Sequence, residues 1–385
     1  MFTTELFLAL SITSFLGLSA APGIASDPAL VTKLEQARPV MRGKNGYQAL
    51  FEPPLTNREW PDELLKCDRY AQDCLAQAQQ NLAAYRNVLP KMENIWQQQE
   101  AAIEALRQYD YFLPQPGQYR EEKALPGYAT IYMGGNLHTY RFAAGERERA
   151  LRGACHDSNL ALRLLNSHGS VTQSALSVRI IERNIALLAQ MRAELPPDAA
   201  LPVDCDALRP QPAASLALCP LMYSEWLRID EAADKPKWDW TPGNRAKTLS
   251  EQFANYWIWQ TKSQQRYEMN KYCAPEILTA IERDELRLPQ RDIWPRYCSL
   301  LNTVCRIGGP DNHDYQAVLL NVNHYLRALA ILRDPAAPLP QGYRLENGQL
   351  HFRRHPERKE KEEGMQAVAL PLPGSRQHEL PAKTD

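Results

Sequence analysis

The sequence predicts a mostly α protein, an array or bundle of antiparallel helical hairpins closed by a small C-terminal β-hairpin. Three observations carry that expectation. Apolar residues recur at helical spacing, as in Tyr315, Val318, Leu319, Val322, Leu326 and Leu329. Glycine is sparse, at 18 of 385 residues, and the 29 prolines fall mainly between helical stretches, which suits helices joined by stiffened loops. Strict alternation about a turn pair stands out in "YRLENGQLHF".

Residues 1–25 read as a secretory signal, because Leu6 to Ala21 is an uncharged apolar run followed by small residues. Glu5 and the lack of a basic residue before the run depart from the usual pattern. The run is shorter than the roughly 20 apolar residues that span a bilayer. An uncleaved leader would anchor the chain in the membrane instead. Residues 26–60 are interrupted by proline and are expected to wrap the core as an extended segment.

Residues 61–342 form the expected helical domain. A helix is expected from Pro61 to a stop at Pro90, with Asp73 able to cap a new start, and another from Lys91 to Pro114. Between Tyr128 and Leu195 the pattern resolves into three helices, broken near Gly145 and at His168–Gly169. The last of these has Leu176, Ile180, Ile181, Ile185, Leu187 and Leu188 over so broad an arc that both flanks must be buried. Ser170 or Thr172 supplies its N-cap. Further helices follow in "PAASLALCPLMYSEWLRIDEAAD", "NRAKTLSEQFANYWIWQTKSQQRYEMNKY", "PEILTAIERDEL" and "DIWPRYCSLLNTVCRI". A final helix, "HDYQAVLLNVNHYLRALAILRD", is expected after a cap at Asp311 or Asn312 and stops before Pro335.

In the hairpin, residues 343–352, Asn347–Gly348 suits a type I′ turn, since both tolerate positive φ. The register then sets Leu345 opposite Leu350 and Tyr343 opposite Phe352, all on one face that should dock on the helices. Residues 353–385 are charged, proline-containing and almost non-aromatic, so a disordered tail is expected.

Two stretches carry a resemblance. "YRFAAGERERALRGACHDSNLALRLL" resembles the helix, glycine turn, helix rhythm of a tetratricopeptide repeat, with Gly145 at the turn, so the array is TPR-like in part. It covers about one repeat, and no repeat period runs along the chain. The hairpin with its preceding "RDPAAPLP" resembles the closing hairpin of uncharacterised exported α-helical proteins of Gram-negative bacteria. That resemblance implies an exported helical fold and brings no activity with it.

Net charge is −1, so no global field draws in nucleic acid. The eight cysteines are Cys67, Cys74, Cys155, Cys205, Cys219, Cys273, Cys298 and Cys305, with no C-x-x-C among them. An even count in an exported chain points to disulfides rather than metal or redox sites. Cys298 and Cys305 lie seven positions apart in an apparent helix. Their Cα atoms would be roughly 10 Å apart, beyond the about 7 Å a bridge allows, so each should pair elsewhere. Cys67 and Cys74 could close on each other if a loop precedes Asp73. Cys205 and Cys219 flank a proline-marked loop and form the favoured local bridge.

The G-x-S-x-G, H-E-x-x-H, P-loop, G-x-G-x-x-G and EF-hand signatures are absent. No catalytic residue, cofactor or metal is therefore assigned. His156, in "ACHDSN", points about 100° away from its neighbour Asp157 and needs a partner from elsewhere, with Asp311, His313 and Asp314 as candidates. The acids of "PDNHDY" are explained by helix capping. Trp238 and Trp240 in a Pro/Gly loop, with Tyr256, Trp257 and Trp259 nearby, form the candidate binding surface, since their rings offer large rigid contact area. The expected function is a non-enzymatic exported, periplasmic or secreted, scaffold or binding protein. It would act through a protein partner or cell-envelope component, with no nucleic acid and no transmembrane span once the signal is removed. The alternative is an envelope hydrolase with a site near His156 or His313.

Overall fold

The computed structural model describes residues 36, 40–51, 60–64, 66, 73–115, 128–233, 264, 267–290, 313–357 and 367–376. Among these the protein is mostly helical, with a small antiparallel sheet at the C-terminal end. The signal-like leader, the loop of Trp238 and Trp240, Tyr256, Trp257, Trp259, and the expected helix of Cys298 and Cys305 lie outside the described residues, as does Cys67. No described helix is long and apolar enough to cross a membrane.

The first helices are α1 (Cys74–Gln80), capped by the Asp73 carboxylate on the Ala76 N–H, and α2 (Leu82–Ala105). Two expectations change here. Residues 61–64 form a turn rather than helix, and Pro90 lies inside α2 rather than ending it. Proline removes the hydrogen bond to the Arg86 carbonyl. Both residues are exposed, so that carbonyl faces solvent and the helix continues. The segment 40–51 lies against the end of this unit, with Asn45 accepting from Leu113 N–H (3.1 Å) and donating to its carbonyl (2.6 Å).

The centre is α3 (Tyr128–Ala143), α4 (Arg147–Asn166) and α5 (Val171–Ala193). Both expected breaks are present: Gly145 adopts φ +100° and His168 φ +51°. Ser170 caps α5 through the Gln173 N–H. Helix α5 packs against α3 and α4 and against α9 (His313–Arg333), which puts apolar neighbours on both of its flanks. Val178, Ile181, Ile185 and Leu188 are fully buried as a result.

The stretch expected as one helix from Pro212 divides into α6 (Ala213–Leu216) and α7 (Cys219–Ala233). Pro220 has no N–H to give the Leu216 carbonyl, so a continuous helix would lack that bond. The Gln316 amide from α9 donates to that carbonyl instead (3.0 Å). Helix α8 (Pro275–Glu282) opens on its proline, as expected.

Two disulfides correct the cysteine pairing. Cys155 joins Cys205 (Cα–Cα 5.0 Å) and Cys219 joins Cys273 (4.8 Å), so the local Cys205–Cys219 bridge does not form. Pro212 holds extended backbone (ψ 148°) ahead of α6, and Cys205 is tied to α4 while Cys219 is tied to the turn before α8. Cys74 is also disulfide-bonded.

The hairpin comprises β1 (Arg344–Glu346) and β2 (Gln349–Arg353), with Leu345 opposite Leu350. Phe352 stacks on Tyr343 (5.4 Å) and meets Tyr325 of α9 edge-on (5.3 Å), so the sheet docks on the helices. Leu345 departs from the expected buried face and is 38% exposed. Part of the expected tail also departs from its expectation, while residues 358–366 and 377–385 lie outside the described residues. It supplies a third strand, β3 (Ala367–Pro371), antiparallel to β2, whose Val368 and Leu370 are buried against α5.

Candidate functional site

A cleft of about 720 Å³ lies between α2 and the α3–α4 hairpin. Its apolar end is built by α2. Tyr85 and Trp96 are three turns apart on one face of that helix and stack on each other (5.8 Å, 7°). Tyr140 of α3 stacks on the other side of Tyr85 (5.2 Å), and Trp60 leans on Trp96 (6.0 Å). Trp60 and Trp96 line the cleft with Met133 and Leu137. Burial pushes the Tyr85 hydroxyl up to about 12.

The polar end interleaves charges. Glu100 on α2 is bound by the fully buried Arg141 of α3 and by Arg149 of α4 (2.9 Å), and Arg149 also reaches Glu146 (2.9 Å). Burial alone would raise the Glu100 carboxyl, but the two guanidiniums outweigh it and hold it below the usual range. Arg107, in the 3-10 turn that follows α2, pairs with Glu104 (2.9 Å). Neither sign dominates the lining.

Two histidine–carboxylate pairs close this end. His138 Nε2 lies 2.9 Å from Asp157 Oδ2, and both side chains are buried. Glycines on the two helices make the pair possible. A Cβ at Gly153 would stand 2.2 Å from His138 Cε1, and one at Gly134 would stand 2.2 Å from Asp157 Oδ2. Each helix thus carries a glycine one turn before its polar residue, and that glycine receives the polar residue of the other helix. His138 Nδ1 is buried with no hydrogen-bond partner among the described residues.

His156 pairs at 2.8 Å with Asp204, rather than with Asp314, and Asp204 was not foreseen. The 3-10 turn Val203–Ala207 delivers this carboxylate across α4. The Cys155–Cys205 bridge holds the turn in place, and Asn159 donates to the Asp204 carbonyl (2.6 Å). The His156 hydrogen bond, helped by Arg107 and Arg152, keeps the Asp204 carboxyl below its ordinary value. Asp311 and the side chain of His313 lie outside the described residues.

Sequence reasoning placed Asp157 away from His156, and the structure agrees; it missed His138 as the partner. The usable signal was G-x-x-x-H in "GGNLH" and G-x-x-x-D in "GACHD", glycine in helix interiors where it is normally unfavourable. Thr130 is the lone hydroxyl along the described lining, which offers no serine or thiol as nucleophile. The expected tryptophan surface is outside the described residues, and the rings found at the cleft are Trp60 and Trp96. A second polar group, Asp284 with His324 and His355, has the composition of a cation site and shares no residue with the cleft. No protein-family model, curated protein or solved structure matches the chain, so these sites are read from their own geometry.

Proposed function

We propose that this chain is an exported, non-enzymatic binding protein that takes a small amphipathic envelope component into the cleft between α2 and the α3–α4 hairpin. The observation that carries the reading is the division of one cavity into a tryptophan-lined end and a charge-paired end. Its volume of about 720 Å³ falls within the roughly 300–1,000 Å³ typical of small-molecule sites. The apolar end suits a hydrocarbon or aromatic body. The interleaved end, with no excess of either sign, suits a zwitterionic or neutral polar head. The paired cysteines support an oxidising compartment.

The test is titration with a dansylated zwitterionic amphipath, together with native mass spectrometry of the protein from envelope extracts. Ala101 lines the cleft from an exposed position on α2. Ala101→Trp should block probe binding by at least about tenfold while leaving thermal stability unchanged. Undiminished binding in that variant would remove the cleft from consideration.

His138 favours a second reading, an envelope hydrolase. Asp157 would orient the ring through Nε2, leaving Nδ1 as a base for a water nucleophile. In that case an ester or amide panel is turned over by the wild type, and His138→Gln abolishes turnover without abolishing binding.

A further inference from the structure

We propose that Asp284, His324 and His355 form a site for a zinc-class divalent cation, separate from the cleft. The three come from different elements. Asp284 follows α8, His324 lies on α9, and His355 follows β2, 71 positions from Asp284. One donor atom from each lies within 4.8 Å of the others.

The spacing suits coordination, and at the same distance His355 Nε2 meets Asp284 as a long hydrogen bond. His324 Nε2 is 3.3 Å from Asp284 Oδ2, and His355 Nε2 is 3.3 Å from Oδ1. Two ligands at about 2.0–2.1 Å from a tetrahedral zinc are themselves roughly 3.3–3.4 Å apart. Two other histidine–carboxylate pairs among the described residues sit at 2.9 and 2.8 Å. Both contacts are longer than those pairs and equal the edge of a zinc tetrahedron. His324 Nε2 is buried and has no hydrogen-bond partner among the described residues.

The surrounding structure fixes each ligand. The fully buried Asn321 brackets the His355 backbone, accepting from its N–H (2.7 Å) and donating to its carbonyl (3.1 Å). The Tyr343 hydroxyl donates to the His324 carbonyl (3.0 Å). Arg327, one turn beyond His324, donates to Asp284 Oδ2 (3.1 Å) and helps to orient the carboxylate. Asp284 itself sits at φ +60°, a conformation that glycine adopts more readily. Two imidazoles and one carboxylate are a borderline-soft donor set, suited to zinc over calcium or magnesium. All three side chains keep some exposure, at 30%, 14% and 17%, so the ion has a way in. Three protein ligands leave a fourth position for water or a substrate atom.

The test uses tag-free, chelator-stripped full-length protein, titrated with zinc by calorimetry and with cobalt by visible absorption. One equivalent should bind, and cobalt should show the d–d bands of a four- or five-coordinate site. Asp284→Asn and His355→Gln should each weaken binding by more than about 100-fold, beyond the 10–100-fold typical of an outer-shell partner. Circular dichroism confirms that each variant is folded. Zinc affinity unchanged in a folded variant of either residue overturns the proposal, as does a wild type that binds no zinc.

Discussion

Gly134 and Gly153 lie in helix interiors, where alanine is ordinarily favoured by up to about 1 kcal/mol. Here the added methyl group would enter the His138–Asp157 pair. Gly153→Ala is expected to destabilise by about 1–3 kcal/mol, the range for overpacking a filled interior. Repeated in a His138→Ala background, the same change should become neutral or stabilising, because the obstructing ring is gone. A urea-denaturation double-mutant cycle measures that reversal, and its absence would show that the glycines serve some other purpose. His168 supplies a pH prediction. Burial holds its imidazole down at about 4, against 6.5 when unfolded. The unfolded chain therefore takes up a proton that the folded chain refuses. Stability from this source is complete above about pH 6.5 and is lost as pH falls towards 4, by up to about 1.4 kcal/mol per unit. His168→Asn, which tolerates the φ of +51°, should flatten that slope in thermal melts between pH 7 and 4. At this scale the candidate site was poorly legible. His138 and Asp157 are ordinary helical residues until two helices meet, and only the misplaced glycines hinted at the contact.

Helix α2 shows what the sequence withholds at the level of elements. A proline in a helical pattern reads as a stop, yet the lost bond at Pro90 falls on a solvent-facing side and the helix continues to Ala105. Pro90→Ala should consequently stabilise the protein by about 1–3 kcal/mol, since it restores a bond and removes a steric conflict. An unchanged urea midpoint would mean that Pro90 costs the helix nothing at this exposed position. The α3–α5 breaks were legible because they rest on local chemistry: a glycine at φ +100°, a serine cap, a residue at positive φ. The division of α6 from α7 was written just as locally in Pro220, but the Gln316 side chain that accommodates it comes from 100 residues away. Strand β3 follows the same logic. Its segment lacks the aromatic residues that advertise a strand, and it forms because β2 offers an open edge and α5 an apolar surface.

For the whole molecule, the covalent links tie the helical assembly to its polar sites. Two of the bridges, Cys155–Cys205 and Cys219–Cys273, span 50 and 54 residues. Chain entropy alone assigns each roughly 4 kcal/mol. Their energetic contributions should thus be nearly equal while their local consequences differ. Cys155–Cys205 holds the turn that presents Asp204 to His156, whereas Cys219–Cys273 fastens α7 to the residues just before α8. Pairing of this kind is invisible to spacing rules, because partners 50 and 54 residues apart are brought together by tertiary packing. The Cys155→Ser/Cys205→Ser and Cys219→Ser/Cys273→Ser variants should lose similar stability in urea. In the first alone, the Asp204 carboxyl, now held low by His156, should return towards the ordinary carboxylate range in carbon-detected NMR titration. If Asp204 titrates identically in both variants, the turn is held by the Asn159 hydrogen bond and not by the bridge.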